Sequence, residues 1–280
     1  MKISAHCLVK NEDRFVWYSI MSVIDYVDEI RIWDTGSIDN TLEIIEEIRK
    51  GSSGVNKIIV KKLNLPDFRE GAVRQRMLDS EDADWFVVLD ADEVWWNSSI
   101  KIVTETIRRE KNNIESIVVP TINLVGDVFH YQEKEAGRYN LAGKKGHYNL
   151  RAINRSIPGL SSSGEHGVWG WVDSEGIMIQ NRSSSKTLFV DAPYLHATHL
   201  ERSGNKYGDK SVFKRARKLK YELGGNFPLD YYYPEVFFRP RPQVVPSPWK
   251  TMSCGYTLRA FFETPLRKIN RRIMPAKIGY

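Results

Sequence analysis

Three acidic residues lie within four positions of one another: Asp90, Asp92 and Glu93. They follow an uninterrupted apolar run, residues 85–89, which is typical of a strand buried on both faces. Carboxylate oxygens at the end of a rigid strand suit Mg²⁺ or Mn²⁺, and such a cation can hold a diphosphate. The sequence therefore predicts a divalent-metal site. The alternative is a helix N-terminus, in which Asp90 or Asp92 caps the helix and Glu93 favours its dipole.

The elements that must position these acids alternate between strand and helix. The hydrophobic pattern predicts strands at 2–9, 29–33, 56–63 and 85–89 and helices at 14–26, 41–50 and 69–78. This alternation is typical of an open, mostly parallel α/β sheet, in which ligands bind outside the carboxyl ends of the strands. Those ends carry Lys10, Asn11 and Glu12, then Asp34, then the three acids. The glycine-rich motifs of dinucleotide and P-loop sites are absent from the sequence, which disfavours both.

Composition favours a globular protein in a reducing compartment. In 280 residues, Cys7 and Cys254 are the only cysteines, and they form no Cys-x-x-Cys pair. We therefore expect neither a disulfide framework nor a zinc site. There is no window of about 20 apolar residues, as a membrane-spanning helix needs, and no signal peptide is visible. A cytoplasmic location is the expectation.

Positive charge is concentrated in the C-terminal part of the chain. Residues 201–280 hold 17 Lys and Arg against 6 Asp and Glu, whereas the first 200 residues hold 24 against 29. The pattern predicts a basic helix at 206–223, and the tail from Arg259 alternates apolar and basic residues. Such a region suits an anionic partner, either a membrane surface or a nucleic acid. A solvated basic surface is the alternative.

Three segments, in this order, resemble the successive motifs of family 2 glycosyltransferases of the GT-A fold: residues 9–12, 34–41 and 89–93. The similarity is greatest to the branch that includes lipopolysaccharide-core and S-linked peptide glycosyltransferases. It implies transfer of a sugar from a nucleotide-sugar, UDP-linked, with inversion and with Mn²⁺ or Mg²⁺ as cofactor. It also implies a GT-A domain at 1–200, with a nucleotide-sugar-binding half (1–96) and an acceptor half (97–200), before a basic extension (201–280).

The resemblance also implies which residues form the donor site. It assigns the nucleotide-sugar to Lys10, Asn11, Glu12, Asp34, Arg74, Asp90 and Ala91, and the metal to Asp90, Asp92 and His199. Arg74 belongs to a segment similar to the family's Asp-Phe…Arg-Asn, here Asp67-Phe68 followed by Arg74-Gln75. His196 is the other histidine at the position where GT-A enzymes often supply a metal ligand.

The catalytic base is expected to be a carboxylate, because an inverting transferase must accept the proton of the attacking hydroxyl. The related branch often shows His-Glu after the Asp-x-Asp domain, whereas this chain has Glu165-His166 in the reverse order. Glu165 is the first candidate and Asp173 the second.

Two other classes of function stay open at this point. A nucleotidyltransferase also joins an open α/β sheet to carboxylate-bound metal, and a non-catalytic carbohydrate- or nucleic-acid-binding protein suits the tryptophans and the basic tail. If the chain is a transferase, its acceptor could be a glycan, a lipid-linked glycan, a protein or a nucleic acid. A lipid-linked acceptor would suit peripheral contact with an anionic membrane at the inner membrane face, made through the basic region.

Overall fold

The computed structural model describes residues 1–51, 56–63, 69–110, 113–164, 169–183, 185–205, 207–212 and 215–273. Its strands are β1 (Ile3–Val9), β2 (Glu29–Asp34), β3 (Ile58–Lys62), β4 (Trp85–Asp90), β5 (Glu93–Trp95), β6 (Ser116–Val125), β7 (Asp127–Tyr131), β8 (Tyr139–Leu141), β9 (Lys144–Gly146), β10 (Tyr148–Asn154), β11 (Ser161–Ser163), β12 (Gly170–Val172), β13 (Thr187–Phe189), β14 (Tyr194–His196) and β15 (Gly225–Asn226). The helices are α1 (Val16–Val23), α2 (Thr41–Lys50), α3 (Glu70–Asp79), α4 (Asn97–Glu110), α5 (Arg215–Lys218) and α6 (Cys254–Ile273).

The central sheet is mixed, and its N-terminal half is parallel. The strand order is β15-β7-β6-β10-β4-β1-β2-β3, and β4, β1, β2 and β3 all run in the same direction. β10 pairs antiparallel with both β4 and β6. The predicted α/β fold, with a mostly parallel sheet between helices, is confirmed.

Alternate side chains of β4 face the two sides of the sheet, as strand geometry requires. Val87 and Leu89 belong to the main core, which also contains buried residues of α1, α2 and α4. Phe86 and Val88 belong to a second core with Leu78 of α3 and with β12. Burial on both faces explains why the sequence of this strand is apolar without alternation.

The carboxyl ends of the strands lie side by side. Val9, which ends β1, pairs with Asp34, which ends β2, and Leu8 pairs with Asp90. The short strand β5 then pairs antiparallel with β14, so that His196 lies opposite Glu93. One edge of the sheet therefore carries both the acidic residues and a histidine from more than a hundred residues later in the chain.

The predicted basic helix at 206–223 is wrong. In the described part of this segment, α5 is the only helix, and residues 207–212 form turns. The reason is that its polar groups bind the end of β1: the Gly208 carbonyl accepts from Asn11 Nδ2 at 3.0 Å, and Arg215 donates to the Asn11 carbonyl at 2.5 Å. Residues 187–196 form two short strands, β13 and β14, with Pro193 between them.

The residues after 200 also contribute to the main core. Tyr233, Val236, Phe237 and Val245 are buried in it. Within the described ranges, no helix is both long enough and apolar enough to cross a bilayer. The division of the chain at residue 200 stays a prediction.

Candidate active site

Asp90 is the last residue of β4, at the carboxyl ends of the parallel strands. Its side chain is 34% exposed, so a ligand can reach it. Arg74 Nη2 lies 3.4 Å from its Oδ1, and Arg151 Nη2 lies 3.2 Å from its Oδ2. Burial alone would raise the pKa of Asp90, but the two guanidinium groups outweigh it and hold that pKa below its ordinary value. Asp90 is therefore ionised at neutral pH.

Asp92 is buried and has one unsatisfied oxygen. Its Oδ2 accepts a hydrogen bond from Arg202 Nη1 at 2.7 Å and lies 3.5 Å from His196 Nε2. Burial opposes ionisation, but the Arg202 guanidinium and the contact with His196 hold the pKa of Asp92 well below its ordinary value. Its Oδ1 is buried and has no hydrogen-bond partner among the described residues. A buried carboxylate oxygen without a donor or cation is costly, so this atom is suited to a ligand.

Glu93 is fully buried and pairs with Arg151, whose Nη2 donates to Glu93 Oε1. Burial raises the pKa of Glu93 to about 7, because the attraction of Arg151 only partly offsets the loss of hydration and Asp90 adds repulsion. The predicted alternative of a helix N-terminus is wrong, since Glu93 lies in β5 and α4 begins only at Asn97.

One group of potential metal ligands stands out among the described residues. Asp90, Glu93 and His196 each offer an atom, and these three atoms lie within 4.8 Å of one another. Asp92 contacts the same histidine. Carboxylate oxygens with one imidazole form a donor set that Mn²⁺ accepts, and Mg²⁺ binds the carboxylates.

His199, the predicted metal ligand, is not part of this group. Its Nδ1 lies 2.9 Å from the Lys218 carbonyl, and its Nε2 lies 3.1 Å from Lys220 Nζ. Burial and the neighbouring Lys220 hold the pKa of His199 well below its ordinary value. The structure thus gathers His196, rather than His199, with the carboxylates.

Glu12, which follows β1, extends the acidic cluster. Arg202 Nη1 lies 3.3 Å from Glu12 Oε1, and Arg215 Nη2 donates to the same oxygen. Burial raises the pKa of Glu12 to about 7 in spite of both arginines. Arg202 therefore bridges Glu12 and Asp92, which joins the ends of β1 and β4.

Asn11 and Asp34 shape the loops beside this cluster. Asn11 has a positive φ of 55°, a conformation that asparagine tolerates better than most residues. Its Oδ1 accepts from the Ile38 backbone at 2.7 Å. Asp34 accepts hydrogen bonds from the backbone nitrogens of Gly36 and Ser37. The Lys10 carbonyl accepts from Arg215 at 2.8 Å.

Arg74 lies on α3 and is buried between three groups. It pairs with Glu70 at 3.2 Å, its guanidinium carbon lies 4.3 Å from the ring centre of Trp169, and it contacts Asp90. Ala91, the remaining predicted donor residue, is buried between the two aspartates. The structure thus brings Arg74 and Ala91 together with the acidic residues.

The sequence predicts two candidate bases, Glu165 and Asp173. Glu165 lies outside the described residues, but Gly164 before it packs on α3: a Cβ on Gly71 would lie 2.6 Å from the Gly164 carbonyl oxygen. Asp173 is described. It accepts backbone hydrogen bonds from Glu175 and Ile177 and pairs with Arg182, which also pairs with Glu115 just before β6.

These contacts place Asp173 near the amino-terminal ends of the parallel strands. Ser174 donates to the Pro158 carbonyl, just after β10, whose last residue Asn154 pairs with Trp85 at the start of β4. Asp90 ends the same strand at the opposite edge. The structure therefore does not bring Asp173 together with the acidic cluster.

Three arginines of the site were not predicted from the sequence: Arg151, Arg202 and Arg215. They pair with carboxylates 58, 110 and 203 positions away in the chain. No local motif marks them, and the acidic cluster itself was the only signal, because closely spaced buried acids require cationic partners.

Several solved structures are similar to this chain. For S. aureus TarS residues 1–349, the identity is 14%, the match covers 71% of this chain and 61% of TarS, and the TM-score is 0.45. For glucosyl-3-phosphoglycerate synthase from Mycobacterium tuberculosis in complex with Mg²⁺ and UDP, the values are 20%, 70%, 71% and 0.41. The chain spans less than two thirds of the length of the TarS structures it matches.

Curated proteins gave no match to this chain. The family model described as "Glycosyl transferase family 2" matches residues 4–164, which is more than half of the chain. The matched range contains all three predicted motifs, with Glu12, Asp34, Asp90 and Asp92. The chain therefore belongs to glycosyl transferase family 2.

Proposed function

We propose that this enzyme transfers a sugar from a UDP-linked donor, bound together with Mn²⁺ or Mg²⁺, and that transfer inverts the sugar's anomeric configuration. The observation that carries the proposal is the buried, unpartnered Oδ1 of Asp92, just after β4, in a carboxylate whose Oδ2 lies 3.5 Å from His196 Nε2. Membership of glycosyl transferase family 2 favours transfer of a sugar over nucleotidyl transfer and over a purely binding role.

The residues present fit a divalent cation. Asp90, Asp92, Glu93 and His196 would hold it, since Asp90, Glu93 and His196 each offer an atom within 4.8 Å of the other two, and Asp92 Oδ2 lies 3.5 Å from His196 Nε2. Bound there, the cation would offset the charge that develops on the diphosphate leaving group. Arg202 occupies Asp92 Oδ2 and leaves Oδ1 available, so the ion pair and the cation do not compete for the same atom.

The charges of the site favour metal and diphosphate together over metal alone. The four arginines of the cluster, Arg74, Arg151, Arg202 and Arg215, already pair with its carboxylates, so they oppose a divalent cation that is bound there alone. The diphosphate of the donor would supply negative charge beside both the cation and these arginines, so we expect the two ligands to bind cooperatively.

The donor's nucleoside is assigned to the ends of β1 and β2. Lys10, Asn11 and Glu12 form the wall beside it, and Asp34 holds the neighbouring loop in place through its bonds to Gly36 and Ser37. Arg74 reaches Asp90 from α3 and can donate to a phosphate oxygen. The Ala91 backbone lies between the two aspartates and lines the same edge.

Glu165 is the proposed base. It would accept the proton of the acceptor hydroxyl while that oxygen attacks the anomeric carbon opposite the leaving diphosphate. The support is the position of its neighbours: Gly164 packs against α3 near Gly71, and Trp169 packs against Arg74, the residue that contacts Asp90. Asp173 is not proposed as the base, because it lies near the amino-terminal ends of the parallel strands, whereas Asp90 lies at their carboxyl ends.

A thermal-shift screen of nucleotide-sugars with Mn²⁺ tests the proposal. Binding to the folded state raises the unfolding temperature, so UDP-linked sugars should raise it more than GDP- or CDP-linked ones. Slow release of UDP from the best donor, in the absence of an acceptor, is the matching activity. A protein stabilised by no nucleotide-sugar would contradict the assignment, and stabilisation by GDP-sugars alone would contradict the choice of UDP.

A further inference from the structure

Helix α6 turns an apolar face to solvent. Six large apolar side chains of this helix are each between 54% and 75% exposed: Leu258, Phe261, Phe262, Leu266, Ile269 and Ile273. Apart from the adjacent pair Phe261 and Phe262, they recur every three or four residues, which places them on one side of the helix. An apolar stripe normally packs against the core, so its exposure along 16 residues of this 20-residue helix requires an explanation.

The opposite face of α6 is mostly polar and is bound to the protein. Arg271 pairs with Glu222 at 2.6 Å and with Glu133 at 2.9 Å. Thr264 Oγ1 accepts from the Leu223 backbone at 3.0 Å, and the Tyr256 hydroxyl donates to the Lys220 carbonyl at 2.5 Å. These contacts fix the rotation of the helix, so the apolar face cannot turn inward without breaking buried ion pairs.

Cationic side chains flank the exposed apolar face. Arg259 and Lys268 have side chains 58% and 49% exposed, and Arg272 is exposed. In total α6 carries five Lys and Arg residues and one glutamate, Glu263. Long cationic side chains beside an apolar stripe can reach anionic headgroups while the apolar residues enter the acyl boundary.

We propose that α6 is an interfacial helix that binds the surface of a bilayer containing anionic lipids. Charge complementarity selects this occupant: a second copy of the chain would bring the same cations of α6 together, whereas anionic headgroups neutralise them. The helix lies on the surface and does not span, because its charged residues are distributed along its whole length. The proposal does not depend on the identity of the donor.

Flotation of the full chain with vesicles tests the proposal. At low salt we expect binding to vesicles of phosphatidylcholine with phosphatidylglycerol and little binding to phosphatidylcholine alone. The double variant Phe261→Gln, Phe262→Gln should lower the partition coefficient at least about tenfold, since two exposed rings are lost. Lys268→Gln with Arg272→Gln should weaken binding to the anionic vesicles.

Ile102→Gln is the matched control, because Ile102 is an exposed apolar residue, 44% accessible, on α4. It should bind like the parent, and all variants should unfold at the parent's temperature. Absence of binding to anionic vesicles by the parent chain overturns the proposal, as does unchanged binding by the double phenylalanine variant. A concentration-dependent dimer that the double variant abolishes, without vesicle binding, would assign the face to a second copy instead.

Discussion

At the residue scale, the site contains two buried carboxyl groups that are only partly ionised at neutral pH. Burial raises the pKa of both Glu12 and Glu93 to about 7, whereas the pKa values of Asp90 and Asp92 are held below normal by arginines. The two aspartates therefore keep their charge as potential ligands, and the two glutamates can adjust the net charge of the site when a cation or a phosphate enters.

The raised pKa of Glu93 predicts how stability depends on pH. Its carboxyl group titrates near 4.5 in the unfolded chain and near 7 in the folded protein, so the folded state binds more protons between these values. The free energy of unfolding should therefore fall as pH rises through this window, and the full penalty is present above pH 7. Glu93→Gln keeps the uncharged shape and should remove this contribution.

Denaturant unfolding at pH 5, 6, 7 and 8 measures the effect. Between pH 5 and 8 the parent should lose at least about 1 kcal/mol more than Glu93→Gln, since one pKa unit corresponds to about 1.4 kcal/mol. Parallel pH profiles for the two proteins would contradict the raised pKa.

Asp92→Asn should nearly abolish transfer and leave the fold intact. We expect a loss of about a thousandfold, or ~4 kcal/mol, because the amide removes a charged ligand from the cation. Arg202 keeps Glu12 as a partner, 3.3 Å away, so the protein should still unfold cooperatively. The exposed Asp230→Asn is the control, and Asp92→Asn activity within about tenfold of the parent would remove Asp92 from the site.

At the element scale, a segment from the C-terminal part of the chain closes the ends of the first strands. Arg215 of α5 donates to the carbonyls of Lys10 and Asn11 and pairs with Glu12. These contacts satisfy backbone oxygens that β1 leaves behind at its end, and they hold α5 beside the site.

Removing this cation should destabilise the protein. Arg215→Gln leaves Glu12 buried with one fewer partner, and breaking a buried pair costs about 3–5 kcal/mol. Protonation of Glu12, with its pKa of about 7, should lessen the loss below pH 6. Arg272→Gln, an exposed arginine, should change the free energy of unfolding by less than about 0.5 kcal/mol. Equal effects of the two substitutions in urea unfolding would contradict this role of Arg215.

The sequence predicted the parallel strands and their acidic ends because both are local features. The run before Asp90 has the composition of a doubly buried strand, and Asp92 follows within two residues. It could not predict Arg202 or Arg215, whose partners are more than a hundred positions away. The sequence also wrongly predicted a helix at 206–223. The charge pattern of this segment does not reveal that tertiary contacts hold part of it in turns.

At the scale of the whole molecule, residues 201–280 and residues 1–200 share one core. Four buried side chains after residue 200 belong to the main core. Two arginines of the same region, Arg202 and Arg215, pair with the site carboxylates Asp92 and Glu12. The predicted boundary at residue 200 therefore separates regions of different composition, and we infer that it does not separate independently stable units.

A chain ending at Leu200 should fail to fold, because the burial free energy of the apolar side chains that it loses is comparable with the whole net stability of a typical domain. Each large buried side chain contributes about 1.5–3 kcal/mol, against a total of about 5–15 kcal/mol. A chain ending at Ser253 lacks only α6 and the residues after it, and it should unfold cooperatively. The chain ending at Leu200 loses four buried side chains that the chain ending at Ser253 keeps: Tyr233, Val236, Phe237 and Val245. Circular dichroism during thermal unfolding compares the two truncated chains, and a cooperative transition of the one ending at Leu200 would contradict this prediction.

The most direct test of the proposed site is to measure Mn²⁺ binding in the presence of UDP, with electron paramagnetic resonance of the free ion as the readout. With UDP, the parent should bind one Mn²⁺ more tightly than without it, and both Asp92→Asn and His196→Gln should weaken that binding at least about tenfold. His199→Gln should bind Mn²⁺ as the parent does, because Nδ1 of His199 contacts the Lys218 carbonyl and its Nε2 contacts Lys220 Nζ. Mn²⁺ binding that neither UDP nor Asp92→Asn alters would contradict a metal site at the end of β4.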